Sequence, residues 1–321
     1  MKLSVLTVPL YGKTPEEAFA YLSALGVQEV EIGTGGYPGN THLNPAEFLA
    51  DESKIDAYKA LLAKYNLGIS AFSVHSNHVH PNKEVRDLAH QEFIDTCKLA
   101  QKFGVETIIT FSGCPGDYPS AKQPNWVTCS WPPEYSEILD YQWNECLIPY
   151  WKAATAEAAQ YGVKKIALEL HPGFCVYNTS SLLRLREAVG DMIGANFDPS
   201  HLFWQGINPV EAIKQLKGAI YHFHAKDTKL DNHNVEVNGV LDTASYGDIL
   251  GRSWIFRSVG YGHDQATWRD IISTLRATGY DGAVSIEHED ALMSVNEGLE
   301  SAIKFLQGVL LYEQPADMWW A

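Results

Sequence analysis

Acidic and histidine side chains stand at the ends of four short apolar runs in the second half of the sequence. They are Glu169 in LELHPG, Asp198 in FDPSH, His224 in HFHAKD and Glu287 in SIEHED. Each run has the length of a β-strand, and the alternation of side chains along a strand can point all four groups into one pocket. One such acid alone is equally well explained as a salt bridge or a helix cap. Four at corresponding positions favour a metal site.

Three carboxylates and one imidazole make an oxygen-rich ligand set. Such a set suits Mn²⁺ first, with Mg²⁺ and Co²⁺ as alternatives, and differs from the nitrogen- and sulfur-rich sites usual for zinc. Three unpaired acids in one pocket would also be costly without a cation. We therefore predict one divalent metal ion held by these four residues.

The elements that position these residues alternate strictly along the chain. Helical patterns repeatedly end at a glycine that is followed by a β-rich apolar run, as at Gly26, Gly68, Gly104, Gly162 and Gly279. The predicted strands cover residues 3–8, 29–32, 69–74, 107–111, 165–170, 193–198, 220–224 and 283–288, and the predicted helices 15–25, 54–65, 83–103, 141–161, 181–189, 209–216, 267–278 and 295–311. Eight such units favour an α/β fold of the closed (β/α)8 TIM-barrel type over a doubly wound open sheet, because no glycine-rich phosphate loop follows the first strand.

We expect one barrel domain over residues 1–312 and a tail over 313–321. Two long loops, 112–140 and 228–266, follow the fourth and seventh strands and are predicted to form lids or substrate walls. The tail carries Met318, Trp319 and Trp320, which we expect to pack on the barrel or on another subunit.

The composition excludes several classes of partner. A formal charge of −15 repels phosphate backbones and anionic membrane surfaces, and no run of about 18 apolar residues is present, so we predict neither nucleic-acid nor membrane binding. The five cysteines form none of the close pairs typical of redox or zinc sites. This pattern predicts reduced thiols and a cytoplasmic protein.

With these motifs, the whole chain resembles the xylose isomerase-like TIM-barrel superfamily, the sugar isomerases and epimerases that include the tagatose epimerase and inosose dehydratase families. The resemblance implies that Glu169, Asp198, His224 and Glu287 bind the metal and that the two glutamates are the acid and base. It also implies that His201 contacts substrate. The arginine that the epimerases carry six residues after the strand-seven histidine is Leu230 here, so we assign the cationic contact to Lys226 or Arg257.

Two further substrate contacts are predicted from position alone. Of the histidines that follow the third strand, His75 or His78 is a candidate, and we select His78. Trp126, in the first long loop, is a candidate for stacking on a sugar ring.

The predicted reaction is isomerisation or epimerisation of an unphosphorylated sugar or keto sugar, with proton abstraction and return through a metal-stabilised enediolate. One alternative is metal-dependent β-elimination of a 3-keto glycoside, as in the C-glycoside deglycosidase subunits, which pair with a smaller partner chain. An endonuclease IV-type nuclease, suggested by Asp198, His201, Asp231 and His233, conflicts with the net charge. A non-catalytic sugar-binding protein would not need two opposed glutamates. We expect a homo-oligomer.

Overall fold

In the computed structural model, which describes residues 1–320, eight parallel strands close a barrel and two antiparallel strands form a separate hairpin. The order around the barrel is β1-β10-β7-β6-β5-β4-β3-β2, so the predicted single-domain (β/α)8 barrel is confirmed. The barrel strands are β1 (Lys2–Leu6), β2 (Glu29–Gly33), β3 (Gly68–Ser73), β4 (Thr107–Thr110), β5 (Lys165–Glu169), β6 (Ile193–Phe197), β7 (Ile220–Ala225) and β10 (Ala283–Ile286), and the hairpin strands are β8 (Asp227–Leu230) and β9 (Trp254–Arg257).

The helices surround this barrel. They are α1 (Pro15–Ala24), α2 (Pro45–Ala50), α3 (Glu52–Lys64), α4 (Lys83–Phe103), α5 (Glu134–Asp140), α6 (Ile148–Gln160), α7 (Thr179–Val189), α8 (Pro199–Phe203), α9 (Pro209–Gln215), α10 (Asn232–Asn238), α11 (Gln265–Ala277) and α12 (Val295–Gln307). A π-helical segment, Tyr141–Leu147, joins α5 to α6. The sequence prediction missed α2, α5, α8 and α10, whose five to seven residues leave at most two turns in which a helical hydrophobic period can show, although it found the equally short α9.

Local signals explain where the helices begin and end. The Thr14 hydroxyl accepts a hydrogen bond from the Glu17 backbone N–H while the Glu17 carboxylate accepts one from the Thr14 N–H, which fixes the start of α1. The predicted glycine cap at Gly68 is wrong. Asn66 adopts the left-handed conformation there, with φ of 53°, and Gly68 begins β3. Asparagine tolerates this conformation better than most other residues.

Two different environments lie on the two faces of the barrel wall. Between strands and helices, large apolar side chains are fully buried, among them Phe19, Trp151 and Trp268. Inside the barrel, small and polar side chains replace the branched apolar residues that fill most barrels of this type; they include Ser4, Glu31, Ser73, Asn196 and Ser285. The inward-facing polar residues hydrogen-bond to one another, and they lead up to the carboxyl ends of the strands.

The long segment after β7 is an ordered insertion. It contains the β8–β9 hairpin, in which Asp227 pairs with Arg257 and Leu230 with Trp254, and the helix α10 between the two strands. The Asp227 carboxylate accepts hydrogen bonds from the backbone N–H groups of Gly260, Gly262 and His263, at 2.9 to 3.1 Å. The two ends of the insertion are therefore joined at one side chain.

The chain end does not pack on the barrel as expected. Met318, Trp319 and Trp320 are 65%, 87% and 69% exposed, and the two indole rings contact each other edge to face. The alternative, packing on another subunit, stays a prediction, and residue 321 of the predicted tail lies outside the described residues. No helix within residues 1–320 has the length and apolar character needed to cross a membrane.

Candidate active site

Four strand ends bring the predicted metal ligands together. Glu169 is the last residue of β5, His224 lies near the end of β7, and Asp198 and Glu287 directly follow β6 and β10. One ligand atom from each of the four lies within 4.8 Å of all the others. All four side chains are at most 15% exposed. The carboxyl ends of parallel strands meet at one face of a barrel, which is why residues 118 positions apart can share one site.

Two ligand atoms at this point have close charged neighbours but no hydrogen bond of regular geometry. Asp198 caps α8 by accepting the Ser200 backbone N–H at 2.8 Å through Oδ1. Its buried Oδ2 lies 3.1 Å from Lys226 Nζ, and the buried Nδ1 atom of His224 lies 3.0 Å from Glu287 Oε2, yet neither atom forms a hydrogen bond within residues 1–320. A buried polar atom without a hydrogen bond is costly. Burial also raises the pKa of Asp198 to about 6, although the nearby Lys226 ammonium acts in the opposite direction.

Glu169 is the most extensively hydrogen-bonded of the four. Its Oε2 lies 2.9 Å from His75 Nε2 and accepts the Asn196 amide at 3.1 Å, while its Oε1 lies 3.1 Å from His201 Nε2. Burial alone would raise the pKa of this carboxyl group, but contacts with His201, His224 and His75 hold the pKa well below its usual value. Glu169 is therefore an ionised carboxylate held in one orientation.

Glu31 on β2 is a site residue that the sequence analysis missed. Its two carboxylate oxygens both lie 3.0 Å from His224 Nε2, and it also accepts hydrogen bonds from the hydroxyls of Ser73 and Ser285, the latter at 2.7 Å. Burial would raise the pKa of Glu31, but His224 and His222 lower it to about 2. An ionised Glu31 accepts the Nε2 proton and so leaves Nδ1 of His224 facing the other ligands.

A hydrogen-bonded chain inside the barrel reaches the same glutamate from the other direction. His222 Nδ1 lies 3.0 Å from the Asn196 side-chain oxygen, and the Asn196 amide donates to Glu169. Burial lowers the pKa of His222 to about 4, so the imidazole is neutral at neutral pH and donates this proton. His222 thus helps to hold Glu169 through Asn196 and does not line the cavity described below.

Lys226 is the cation of the site. Its Nζ lies 2.7 Å from Glu287 Oε2, 3.0 Å from Glu289 Oε2 and 3.1 Å from Asp198 Oδ2, and its side chain is only 2% exposed. Burial would lower the pKa of this ammonium group, but these carboxylates raise it well above the usual value. Lys226 and His224 in turn hold the pKa of Glu287 well below its usual value, against the effect of burial.

These residues fit a divalent cation. Ligands that each lie about 2.0–2.2 Å from one ion are separated by roughly 4 Å or less, and these four atoms already lie within 4.8 Å of one another. The two buried atoms that form no hydrogen bond, Asp198 Oδ2 and His224 Nδ1, are the ones that an ion here would satisfy. Glu31 supplies the carboxylate–histidine contact that usually accompanies a metal-bound imidazole.

A cavity of about 150 Å³ is lined by two of the ligands, Glu169 and Glu287. Its polar lining also includes His75, Lys226 and His171, and its apolar lining includes Leu6, Val8 and Pro38. Burial lowers the pKa of His171 to about 4, so this wall is a neutral imidazole at neutral pH. A second cavity of about 410 Å³ adjoins the first and shares His171 and Glu289 with it.

Two of the predicted substrate contacts, His201 and Arg257, line neither of these cavities. His201 lies beside the ligands but is buried beneath the cavity, where it contacts Glu169. Arg257 is held at 2.9 Å by Asp290 and lies over the Tyr261 ring, and it lines neither of the two adjoining cavities. Of the two candidate cations, the structure brings only Lys226 to the ligands.

His78 and Trp126 are not at this site. His78 is fully buried among Phe93, Tyr150 and Trp151, with its Nε2 at 2.7 Å from the Thr110 hydroxyl. The histidine of this loop that lines the cavity is His75. The structure does not bring His78 to the cavity, because the loop after β3 does not continue the two-residue alternation of the strand.

The first long loop also builds a different cavity. Trp126 lines a separate pocket with Val127, Trp143, Tyr177 and Arg184, so the structure places it apart from the metal ligands. No residue of the loop 112–140 lines either of the two cavities described above.

The residues that suggested a nuclease are also away from the ligands. Asp231 and His233 lie at the exposed helix α10, which Asp231 caps.

Comparisons with known proteins agree with this architecture. The family model described as a xylose isomerase-like TIM barrel matches residues 19–309. The uncharacterized protein YfiH of Bacillus subtilis is 38% identical over 310 residues, which is 96% of this chain and 98% of YfiH.

Solved structures with the same fold include a probable 3-DHS dehydratase, AsbF of Bacillus anthracis, at 19% identity and a TM-score of 0.68, covering 96% of this chain and 99% of AsbF. The IolI protein with a bound zinc atom has 20% identity and a TM-score of 0.65, covering 97% and 98%. A D-tagatose 3-epimerase-like protein has 21% identity and a TM-score of 0.62, covering 96% and 98%. At these identities the structures show a shared fold, and the family match extends over most of the sequence. The chain belongs to the xylose isomerase-like TIM-barrel family.

Proposed function

We propose that the protein is a divalent-metal-dependent enzyme that isomerises or epimerises a sugar or keto sugar by moving a proton on a carbon beside a carbonyl group. The observation that carries this proposal is that Glu169 and Glu287 reach the same small cavity from β5 and β10. These strands are separated around the barrel by β6 and β7, so the two carboxylates approach a bound molecule from different sides.

Glu169, Asp198, His224 and Glu287 would hold the cation, which we propose to be Mn²⁺, with Mg²⁺ and Co²⁺ as alternatives. When bound, such a cation supplies a Lewis acid that stabilises negative charge on substrate oxygens. Lys226 adds a fixed positive charge at the same edge of the cavity, 2.7 Å from Glu287.

The two glutamates are the proposed proton carriers. Both carboxyl groups have lowered pKa values, so each is ionised at neutral pH and can accept a proton. The C–H bond breaks, its proton passes to a carboxylate oxygen, and its electron pair delocalises onto the adjacent carbonyl group. If the same carboxyl group returns the proton to the neighbouring carbon while the hydroxyl proton passes to the former carbonyl oxygen, the carbonyl group moves. Inversion requires the second carboxylate to have taken a proton from solvent beforehand. It then donates that proton to the opposite face, and the first carboxyl group keeps the proton removed from carbon.

The surrounding residues orient these carriers. Hydrogen bonds from His75, His201 and Asn196 hold Glu169, and the Lys226 ammonium holds Glu287. Two of the three N–H donors of Lys226 bond to Glu287 and Glu289, and Lys226 lines the cavity, so its third donor can bond to a substrate oxygen.

Proton transfer is tested by hydrogen exchange. The protein loaded with Mn²⁺ is incubated in D₂O with a panel of keto sugars that includes D-fructose and D-tagatose, and mass spectrometry follows deuterium at carbon. We expect solvent deuterium at the reacting carbon of the substrate. Turnover of a sugar without any deuterium incorporation would indicate hydride transfer and refute the mechanism.

Two variants test the assignment of the carriers. Glu169→Gln and Glu287→Gln each keep the shape of the side chain but cannot accept a proton, so we expect each to abolish exchange and to weaken metal binding. Glu106→Gln is the matched control, because Glu106 pairs with Lys164 on the exposed surface. Full activity in either site variant, or equal loss in the control, contradicts the assignment.

A second candidate reaction is metal-dependent β-elimination from a 3-keto glycoside. The 410 Å³ cavity beside the site favours it, because a leaving group could occupy that space. The same carboxylates would remove the proton, and the electron pair would expel the group attached at the β-carbon. Release of a free aglycone by the Mn²⁺-loaded protein, detected by chromatography, separates this reaction from epimerisation, which releases nothing.

A further inference from the structure

The outer cavity has a chemistry opposite to that of the inner one. Its walls come from the insertion after β7 and from the loop after β10, and they carry Tyr246, Ile249, Ile255, Phe256 and Ala291. Apart from the Tyr246 phenol, the titratable groups in this wall are His171 and Glu289, which line both cavities. A molecule that spans both cavities would therefore have one polar end and one apolar end.

Aromatic faces line this outer space. The Tyr246 and Phe256 rings are nearly parallel, with 20° between their planes and 6.1 Å between their centroids, and Tyr246 is 60% exposed. Phe256 also lies next to residues that contact the two proposed proton carriers. Its ring lies 4.6 Å from Lys226 Nζ and meets His201 edge to face at 5.2 Å. Flat rings of this kind favour a flat apolar ligand group.

The outer wall is held in place without a ligand. The Arg252 side chain is 1% exposed and lies against the rings of Tyr246 and Trp254, at 4.1 and 4.6 Å. Trp254 stacks on Trp204 with a centroid separation of 4.6 Å, and its indole N–H donates to the Val240 carbonyl at 3.0 Å. A wall ordered in this way loses little further freedom when it binds, which favours affinity.

The sizes of the cavities indicate how they divide a ligand. The inner cavity, about 150 Å³, is smaller than the roughly 300–1,000 Å³ of typical small-molecule sites, and the two together lie within that range. The inner one holds the carboxylates and Lys226, which suit hydroxyl and carbonyl groups. The outer one offers aliphatic and aromatic surface, which suits a group less polar than a sugar.

We infer that the substrate is a sugar that carries a flat apolar substituent, an aryl or heteroaryl group, with the sugar in the inner cavity and the substituent in the outer cavity. This inference rests on the proposed function for the placement of the sugar. It assigns Tyr246, Ile249 and Phe256 as specificity residues that do not take part in proton transfer.

The test compares matched ligand pairs on the Mn²⁺-loaded protein by isothermal titration calorimetry. The probes are the phenyl and methyl β-glycosides of D-glucose, D-galactose and D-xylose. We expect the phenyl compound of at least one pair to bind at least tenfold more tightly than its methyl partner. Equal affinity within all pairs, or no measurable binding of any phenyl glycoside, overturns the inference.

Variants locate the preference. Ile249→Asp places a charge in the outer cavity and should abolish the phenyl preference, and Tyr246→Ala should reduce it at least threefold. Leu241→Asp is the control, because Leu241 is in the same insertion but is 63% exposed and outside the cavity wall. A phenyl preference unchanged in both cavity variants refutes the assignment.

The affinity for Mn²⁺, measured separately in each variant, should be unchanged. If Mn²⁺ does not bind or no deuterium exchange occurs while the phenyl preference persists, the proposed function fails and the outer subsite stands. If exchange occurs with a free keto sugar and the phenyl preference is absent, the proposed function stands and the outer subsite fails.

Discussion

Glu31→Gln is expected to weaken metal binding although Glu31 is not one of the four proposed ligands. The carboxylate contacts His224 Nε2 at 3.0 Å inside a fully buried environment and so fixes which imidazole nitrogen faces the site. Glutamine has the same shape and its oxygen can still accept the Nε2 proton, so the barrel should fold, but the negative charge is lost. The substitution therefore tests how much the negative charge of Glu31 contributes to metal binding by His224.

The expected magnitude follows from that single contact. A hydrogen bond to a charged group contributes about 1.5–3 kcal/mol, and about 1.4 kcal/mol corresponds to tenfold in a dissociation constant. We therefore expect the Kd for Mn²⁺ to rise by about ten- to a hundredfold, the range usual for partners of metal-bound histidines. The measurement is isothermal titration calorimetry at fixed pH, with circular dichroism to show that the variant is folded.

Glu29→Gln is the matched control on the same strand. Glu29 pairs with Lys2 Nζ at 2.6 Å near the beginning of β2, away from the ligands, so its substitution should leave the affinity for Mn²⁺ unchanged. A folded Glu31→Gln protein with the wild-type affinity would refute the role given to Glu31. An equal loss in the control would show a general effect of charge on cation binding.

Three further outcomes are expected. Chelation of the cation should lower the melting temperature in differential scanning fluorimetry, because an ion at 100 times its Kd stabilises the folded protein by about 2.7 kcal/mol, and an unchanged midpoint contradicts a folded-state site. Burial lowers the pKa of His78 to about 3, so below about pH 6.5 the unfolded chain binds a proton at this residue and the folded chain does not. As the pH is lowered, this residue should therefore reduce the unfolding free energy by about 1.4 kcal/mol per pH unit. In urea unfolding between pH 6 and 4, the His78→Gln variant should lose less stability than the wild type. Replacing Trp319 and Trp320 with serine should weaken self-association in analytical ultracentrifugation, because both rings are exposed in the single chain; a wild-type monomer would show that no second copy covers them.

The repeated alternation of helix and strand made the barrel and the four proposed metal ligands predictable from the sequence. Eight alternations of helix and strand specify the barrel, and within it the position of a residue at a strand end specifies the face on which it lies. That reasoning is sufficient to bring Glu169, Asp198, His224 and Glu287 to one point. It depends only on local periodicity, which the printed sequence shows directly.

Residues that support the ligands were harder to find. Glu31 lies inside a short buried strand, EVEIG, and the signal was available, because an acid in the middle of such a strand needs a buried partner. That partner, His224, is 193 positions away, so the sequence alone does not name it. His75 and His78 differ by three positions in an irregular loop, and only tertiary packing decides which of them faces the cavity.

The outer cavity could not be predicted for a similar reason. The segment 228–266 reads as a loop, and strands of four residues such as β8 and β9 carry too little alternation to be distinguished from one. Its apolar wall exists only once Arg252 is enclosed by Tyr246 and Trp254. Long-range packing of this kind leaves no local pattern.

The carboxylate of Asp227 has a consequence for how such a protein can be altered. Because this carboxylate accepts hydrogen bonds from the backbone N–H groups of Gly260, Gly262 and His263, the beginning and the end of the insertion lie next to each other. The two ends of a segment closed in this way stay together whatever the length of chain between them. The part of the insertion between the two hairpin strands can therefore differ in length without separating those strands.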